Sequence, residues 1–128
     1  MGMNILIVDD SSVMRQMIIK ALNMSGLPLG EIHQAGNGKE ALELLDRHWV
    51  DLLILDINMP VMNGEEMMIE MKKNPAFGDI PVVVVSTEGS ATRIERMKAM
   101  GALFVHKPFT PEIIRDTIRS LLITGDEP

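Results

Sequence analysis

The chain has 128 residues, 46% of them hydrophobic, with a formal net charge of −6 and no cysteine. That length fits one compact domain, and the apolar fraction excludes wholesale disorder. The acidic balance argues against a nucleic-acid surface, and the lack of cysteine excludes disulfide and thiolate chemistry.

No apolar stretch approaches the roughly 20 residues of a membrane span, and no charged-then-apolar signal segment opens the chain. A soluble, cytoplasmic protein is expected.

The first strand is read at about Asn4–Val8, followed by a helix from Ser12 that ends near Gly26-Leu27-Pro28. Met14, Met17, Ile18, Ala21 and Leu22 recur at helical spacing and form its expected apolar face. A weaker strand covers roughly Glu31–Ala35. Asn37 with Glu40 three residues on gives a capping-box pattern for a second helix, whose buried face is expected to hold Ala41, Leu42, Leu45 and Trp49.

Leu52–Leu55 is a continuous apolar run, as expected of a strand covered on both faces. Asn63 caps a third helix with a stripe of Met67, Met68 and Met71. The valine run in Pro81–Val85 is the fourth strand, and Ser90 caps a helix carrying Ala91, Ile94, Met97 and Gly101 at three-to-four spacing. Leu103–His106 is the last strand. Thr110-Pro111 then places an N-cap before a proline at the first helical position, where its missing N–H costs nothing. Ile114, Ile118 and Leu121 line this last helix, and residues 124–128 are expected to fray.

Five successive βα units imply a doubly wound α/β fold, a five-stranded parallel sheet with helices on both faces, in one domain with its core over about 4–122. The carboxyl ends of the strands in such a sheet line one crevice, where ligands bind. Asp9 and Asp10 end the first strand, Asp56 the third, and Lys107-Pro108 the fifth.

Any one Asp at a strand end can be a mere helix cap, but the group calls for more. Two unit charges about 4 Å apart repel by roughly 4 kcal/mol at an effective dielectric near 20. Gathering three carboxylates therefore raises a pKa or recruits a cation. Hard oxygen donors with open positions suit Mg²⁺, which keeps several waters and favours a phosphate partner. Asp56, central in the group, is placed to carry that phosphoryl group.

Asp9-Asp10, the run Leu55-Asp-Ile-Asn-Met-Pro60 with Asn63-Gly64 beyond it, Val85-Ser-Thr87, Gly101-Ala102 and Lys107-Pro-Phe109 together resemble the receiver domain of two-component response regulators. The likeness runs from about Asn4 to Leu122 and points to the stand-alone, chemotaxis-type regulators. It implies a flavodoxin-like (βα)5 fold with strand order 2-1-3-4-5.

It also implies that Asp56 is the phosphoacceptor. Asp10 would bind Mg²⁺ directly, Asp9 largely through water, and Asn58 through its backbone carbonyl. Lys107 would pair with the phosphoryl group, and its bond to Pro108 is expected to be cis. The switch hydroxyl falls on Ser86, with Thr87 as the fallback, and the aromatic switch position on Phe104, which could also be plain core. The partners implied are a histidine kinase or phosphotransfer protein and a downstream target protein. The target would be met by a face of the fourth helix, fifth strand and fifth helix, with Ile94, Arg96, Val105 and Arg115 as expected surface members. The chain is expected to be a monomer or weak dimer and to catalyse only its own phosphorylation and dephosphorylation.

Two alternatives come from other classes. A haloacid-dehalogenase-type aspartyl-phosphate hydrolase also uses a strand-end Asp with Mg²⁺, but expects a second Asp where Asn58 stands. A flavodoxin-type electron carrier shares the topology, yet Asp9-Asp10 would repel its cofactor's phosphate, and 3% aromatic content leaves little to stack a flavin. His33, His48 and His106 show no ligand spacing, the methionines read as core, and Arg93, Arg96 and Lys98 read as a solvated helix face.

Overall fold

The computed structural model describes residues 2–126, with side chains described through residue 121. The elements in chain order are β1 (Met3–Val8), α1 (Ser12–Met24), β2 (Leu29–Ala35), α2 (Gly38–Leu45), β3 (Leu52–Leu55), α3 (Gly64–Lys72), β4 (Val82–Ser86), α4 (Ala91–Ala99), β5 (Leu103–His106) and α5 (Pro111–Asp126). The strands form one sheet in the order β2-β1-β3-β4-β5, and every neighbouring pair is parallel. The expected doubly wound, flavodoxin-like fold is thus the observed one.

Strand alternation divides the core into two layers. Ile5, Ile7, Leu52, Ile54, Val83, Val85 and Val105 face α1 and α5, where they meet Ile18, Leu22, Ile114 and Ile118. Leu6, Val8, Leu53, Leu55 and Val84 face the other way, toward Ala41, Leu45, Met67, Met68, Met71 and Met97. The central strands β3 and β4 are therefore buried on both faces, which explains their unbroken apolar runs.

The helices start where their caps lie. Ser11, Asn37, Asn63 and Ser90 each accept a backbone N–H from the residue three positions on. Asn63 and Glu66 complete a reciprocal capping box. Thr110 Oγ1 accepts the Ile113 N–H at 3.1 Å, ahead of Pro111.

Several packing expectations fail for local reasons. Trp49 is 78% exposed rather than buried, because α2 stops at Leu45 and leaves the ring in the connection to β3. Its indole instead donates to Asp51, whose other carboxylate oxygen takes the Asn4 N–H and fastens β1 to that connection. Met17 lies outside the buried stripe of Ile18, Ala21 and Leu22 and is half-exposed. In α4 only Met97 is buried, and Gly101 does not extend its stripe. With φ +100° Gly101 turns the chain out of the helix, a backbone region that glycine enters freely. Val105 is buried against α5 and so is not a surface residue.

Of the tail expected to fray, residues 124–126 belong to α5, while Glu127, Pro128 and all side chains from 122 onward lie outside the described residues.

Candidate functional site

The sheet's own hydrogen bonds carry the acidic and basic groups to one rim. Past the ends of their strands, Asp9 N–H donates to Ala35 O at 3.1 Å, Asp56 N–H to Val8 O at 2.8 Å, and Lys107 N–H to Ser86 O at 3.1 Å. Each residue thus continues the ladder by one position, which fixes how far its side chain reaches over the carboxyl edge. Carboxylate oxygens of Asp9, Asp10 and Asp56 fall within 4.8 Å of one another. Asp9 and Asp56 are buried, whereas Asp10 is open to solvent.

Lys107 joins this group across 98 residues of chain. Its ammonium donates to Asp9 Oδ2 at 3.1 Å and lies 3.7 Å from Asp56 Oδ1. The Lys107-Pro108 peptide is cis, as the family resemblance implies. Asp9 Oδ1 accepts the Ser11 N–H at 2.9 Å, and Asp56 Oδ1 accepts the Ile57 N–H at 2.8 Å.

Lys107 alone does not offset three carboxylates. Burial, followed by the charge of Asp9, raises the Asp56 pKa above its ordinary 3.8, against the opposing pull of Lys107, the Ile57 N–H and the Ser86 hydroxyl. The protein thus keeps a carboxylate in a place that penalises its charge. A bound divalent cation relieves such a penalty, and an all-oxygen donor set fits Mg²⁺.

Ser86 ends β4 with no exposed surface, its hydroxyl facing Asp56, while Thr87 points to solvent. Phe104 pairs with Val84, one step back on the same sheet face, and packs partly buried against the cluster that contains Val84 and Met97. His106 lies directly across from Ser86, and its ring sits 4.6 Å from that of Phe104. Strand periodicity alone does not reveal this neighbour, because the β4–β5 register is needed.

A second group escaped the sequence reading. Arg93 on α4 is no solvated side chain. Its Nη1 donates to Glu88 at 3.2 Å and to the Asn58 side chain at 3.4 Å, and its Nε lies 3.6 Å from Glu65. Arg96 also bonds Glu65, which holds that carboxyl below its ordinary value. The β3–α3 loop, the β4–α4 loop and α4 are thereby tied together beside Asp56. The i, i+3 spacing of Arg93 and Arg96 was visible in the sequence, but their partners on other elements were not.

Gly64 explains the Asn63-Gly64 pair. Its N–H donates to Ile57 O at 2.8 Å, and a Cβ there would collide with the Asp56 carbonyl oxygen. The start of α3 therefore presses on the backbone of Asp56 itself.

Comparison with known proteins identifies the family. The response regulator receiver domain family matches residues 5–119. A chemotaxis protein CheY homolog of Campylobacter jejuni is 38% identical over 96% of this chain and 95% of its own. Chemotaxis protein CheY1 of Helicobacter pylori is 36% identical over 97% of this chain and 100% of its own. Among solved structures, the chemotaxis response regulator CheY4 of Vibrio cholerae superposes with TM-score 0.82 at 33% identity, covering 94% of this chain and 99% of that one. The hydrolase and electron-carrier alternatives fall away, and the chain belongs to the response regulator receiver domain family, as a CheY-like module of phosphorylation-dependent signalling.

Proposed function

We propose that the protein is a switch in a two-component system that takes a phosphoryl group from a histidine kinase onto Asp56 and thereby controls a target protein. The observation that carries this reading is the acid cluster itself: a buried Asp56 held charged-unfavourably beside Asp9 and Asp10, with one lysine reaching across to it. Asp56 is the nucleophile. A carboxylate oxygen bonds to phosphorus as the donor's phosphorus–nitrogen bond breaks, giving an acyl phosphate.

Asp10, Asp9, Asp56 and the Asn58 backbone carbonyl would hold Mg²⁺, which when bound neutralises charge on the transferring group. Lys107 leaves Asp9 to pair with a phosphoryl oxygen, and Ser86 donates its hydroxyl to another. The chain catalyses only the formation and hydrolysis of its own phosphate.

The same reading explains the path to a partner. A phosphoryl group adds about two negative charges at Asp56. Movement of Ser86 toward them frees space on the face it shares with Val84 and Phe104, and Phe104 can fill it by a rotamer change. Phe104 itself lines a shallow, open cleft between α4, β5 and α5, together with Lys98, Gly101, Leu103, Asp116 and Thr117. That cleft suits a docking target protein. Reversing a 1:99 equilibrium takes roughly 5.5 kcal/mol of differential stabilisation, within reach of two or three charge-assisted hydrogen bonds.

The test uses NMR with Mg²⁺ and the phosphate mimic beryllofluoride. Shifts are expected at Asp56 and also at Phe104 and along α4, with the remote set lost in Ser86→Ala. Perturbation confined to the surroundings of Asp56 in the wild type would refute the relay.

A further inference from the structure

A different group of ligating side chains gathers on the edge strand. Glu31 and His33 alternate along β2 on the same sheet face as the buried Ala35, which packs under α2. His48 arrives from the connection between α2 and β3. One ligand atom from each of Glu31, His33 and His48 lies within 4.8 Å of the others. His33 Nε2 is 3.2 Å from Glu31 Oε1, and the two imidazole rings stack with centroids 4.1 Å apart at 24°.

We propose that Glu31, His33 and His48 form a Zn²⁺ site of three protein ligands with an open fourth position. Two imidazoles and one carboxylate are a donor set that Zn²⁺ accepts. Tetrahedral bonds of 2.0–2.1 Å place neighbouring ligand atoms about 3.3 Å apart, and the Glu31–His33 pair already stands at 3.2 Å. His48 and Glu31 are exposed, so a turn of the His48 side chain suffices to fan the stacked rings around one ion.

The site is separate from the acid cluster in both place and chemistry. A connection from helix to strand lies at the amino edge of a parallel sheet, whereas Asp9, Asp56 and Lys107 stand at the carboxyl edge. Imidazole donors select borderline transition ions, and an all-oxygen cluster selects hard ones. A bound Zn²⁺ would clamp the α2–β3 connection onto β2, leaving its open position toward solvent. This inference does not depend on the phosphoacceptor reading.

The test is calorimetric titration of untagged protein with Zn²⁺ in the presence of excess Mg²⁺, paired with thermal melts. Uptake of one Zn²⁺ per chain with a raised Tm is expected. His33→Gln and His48→Gln should each weaken Zn²⁺ binding on the order of tenfold or more. Asp10→Asn should leave it unchanged, and unaltered circular dichroism of the histidine variants will show that they are folded. Absence of Zn²⁺ uptake, uptake indifferent to both histidine variants, or uptake lost in Asp10→Asn overturns the proposal.

Discussion

Lys107 hydrogen-bonds Asp9 at 3.1 Å, while its distance to Asp56, the residue it would serve once phosphorylated, is 3.7 Å. The ammonium is thus parked on Asp9, where it competes for the position that a divalent cation would occupy. Lys107→Met should therefore bind Mg²⁺ more tightly, by about fivefold or more, since a unit charge within several ångströms contributes on the order of a few kcal/mol at intermediate dielectric. Without Mg²⁺ the same variant should lose roughly 2 kcal/mol of stability, below the range for a fully buried broken pair because Asp10 keeps the cluster wet. Calorimetry and urea unfolding, each with and without Mg²⁺, check the two effects.

Asp56 sets a pH dependence whose sign follows from its raised pKa. The folded state holds a proton on this group more tightly than the unfolded chain does, whose ordinary value is 3.8. Stability is therefore lost as pH rises from that value through the raised one, and the deficit persists above it. Asp56→Asn should be more stable than the wild type at pH 7 without metal. The difference should close below pH 3.8 and shrink when Mg²⁺ is added. Melting curves across pH, with and without Mg²⁺, give the answer.

Val61 carries backbone strain in the connection between β3 and α3. Its φ is +69°, and Met62 N–H closes a tight three-residue turn onto Pro60 O at 2.7 Å. A β-branched residue rarely adopts that backbone. The turn is anchored from outside: Met62 O accepts the Gly38 N–H at 3.0 Å, and Gly38 has no Cβ to keep Met62 away. Val61→Gly should stabilise the protein by about 1 kcal/mol, the relief of strain exceeding the added freedom of the unfolded chain. Its side chain is 76% exposed, so no core contact is lost. Urea midpoints measure the change.

Much of this was legible in the order of residues because the informative ones sit at strand ends. Asp9, Asp10, Asp56 and Lys107 each follow an apolar run, so parallel topology alone brings them to one rim, and the caps Ser90, Asn63 and Thr110 mark helix starts by local chemistry. What stayed hidden depends on register or on where a helix stops. Trp49 fits the periodicity of α2 but lies past its end. Arg93 meets Asn58, Glu88 and Glu65 through three separate elements. His33 and His48 have no shared spacing, yet the return from α2 stacks them. Val105 alternates with Phe104, and only the positions of α4 and α5 decide which of the two is buried.

Intact-mass spectrometry after incubation with a small phosphodonor tests the central claim most directly. The wild type should gain a single phosphoryl group with Mg²⁺ and none under chelation, and Asp56→Asn should gain none in either condition. Undiminished labelling of Asp56→Asn, or equal labelling of the wild type with and without divalent cation, would contradict the assignment of Asp56 as the metal-assisted phosphoacceptor.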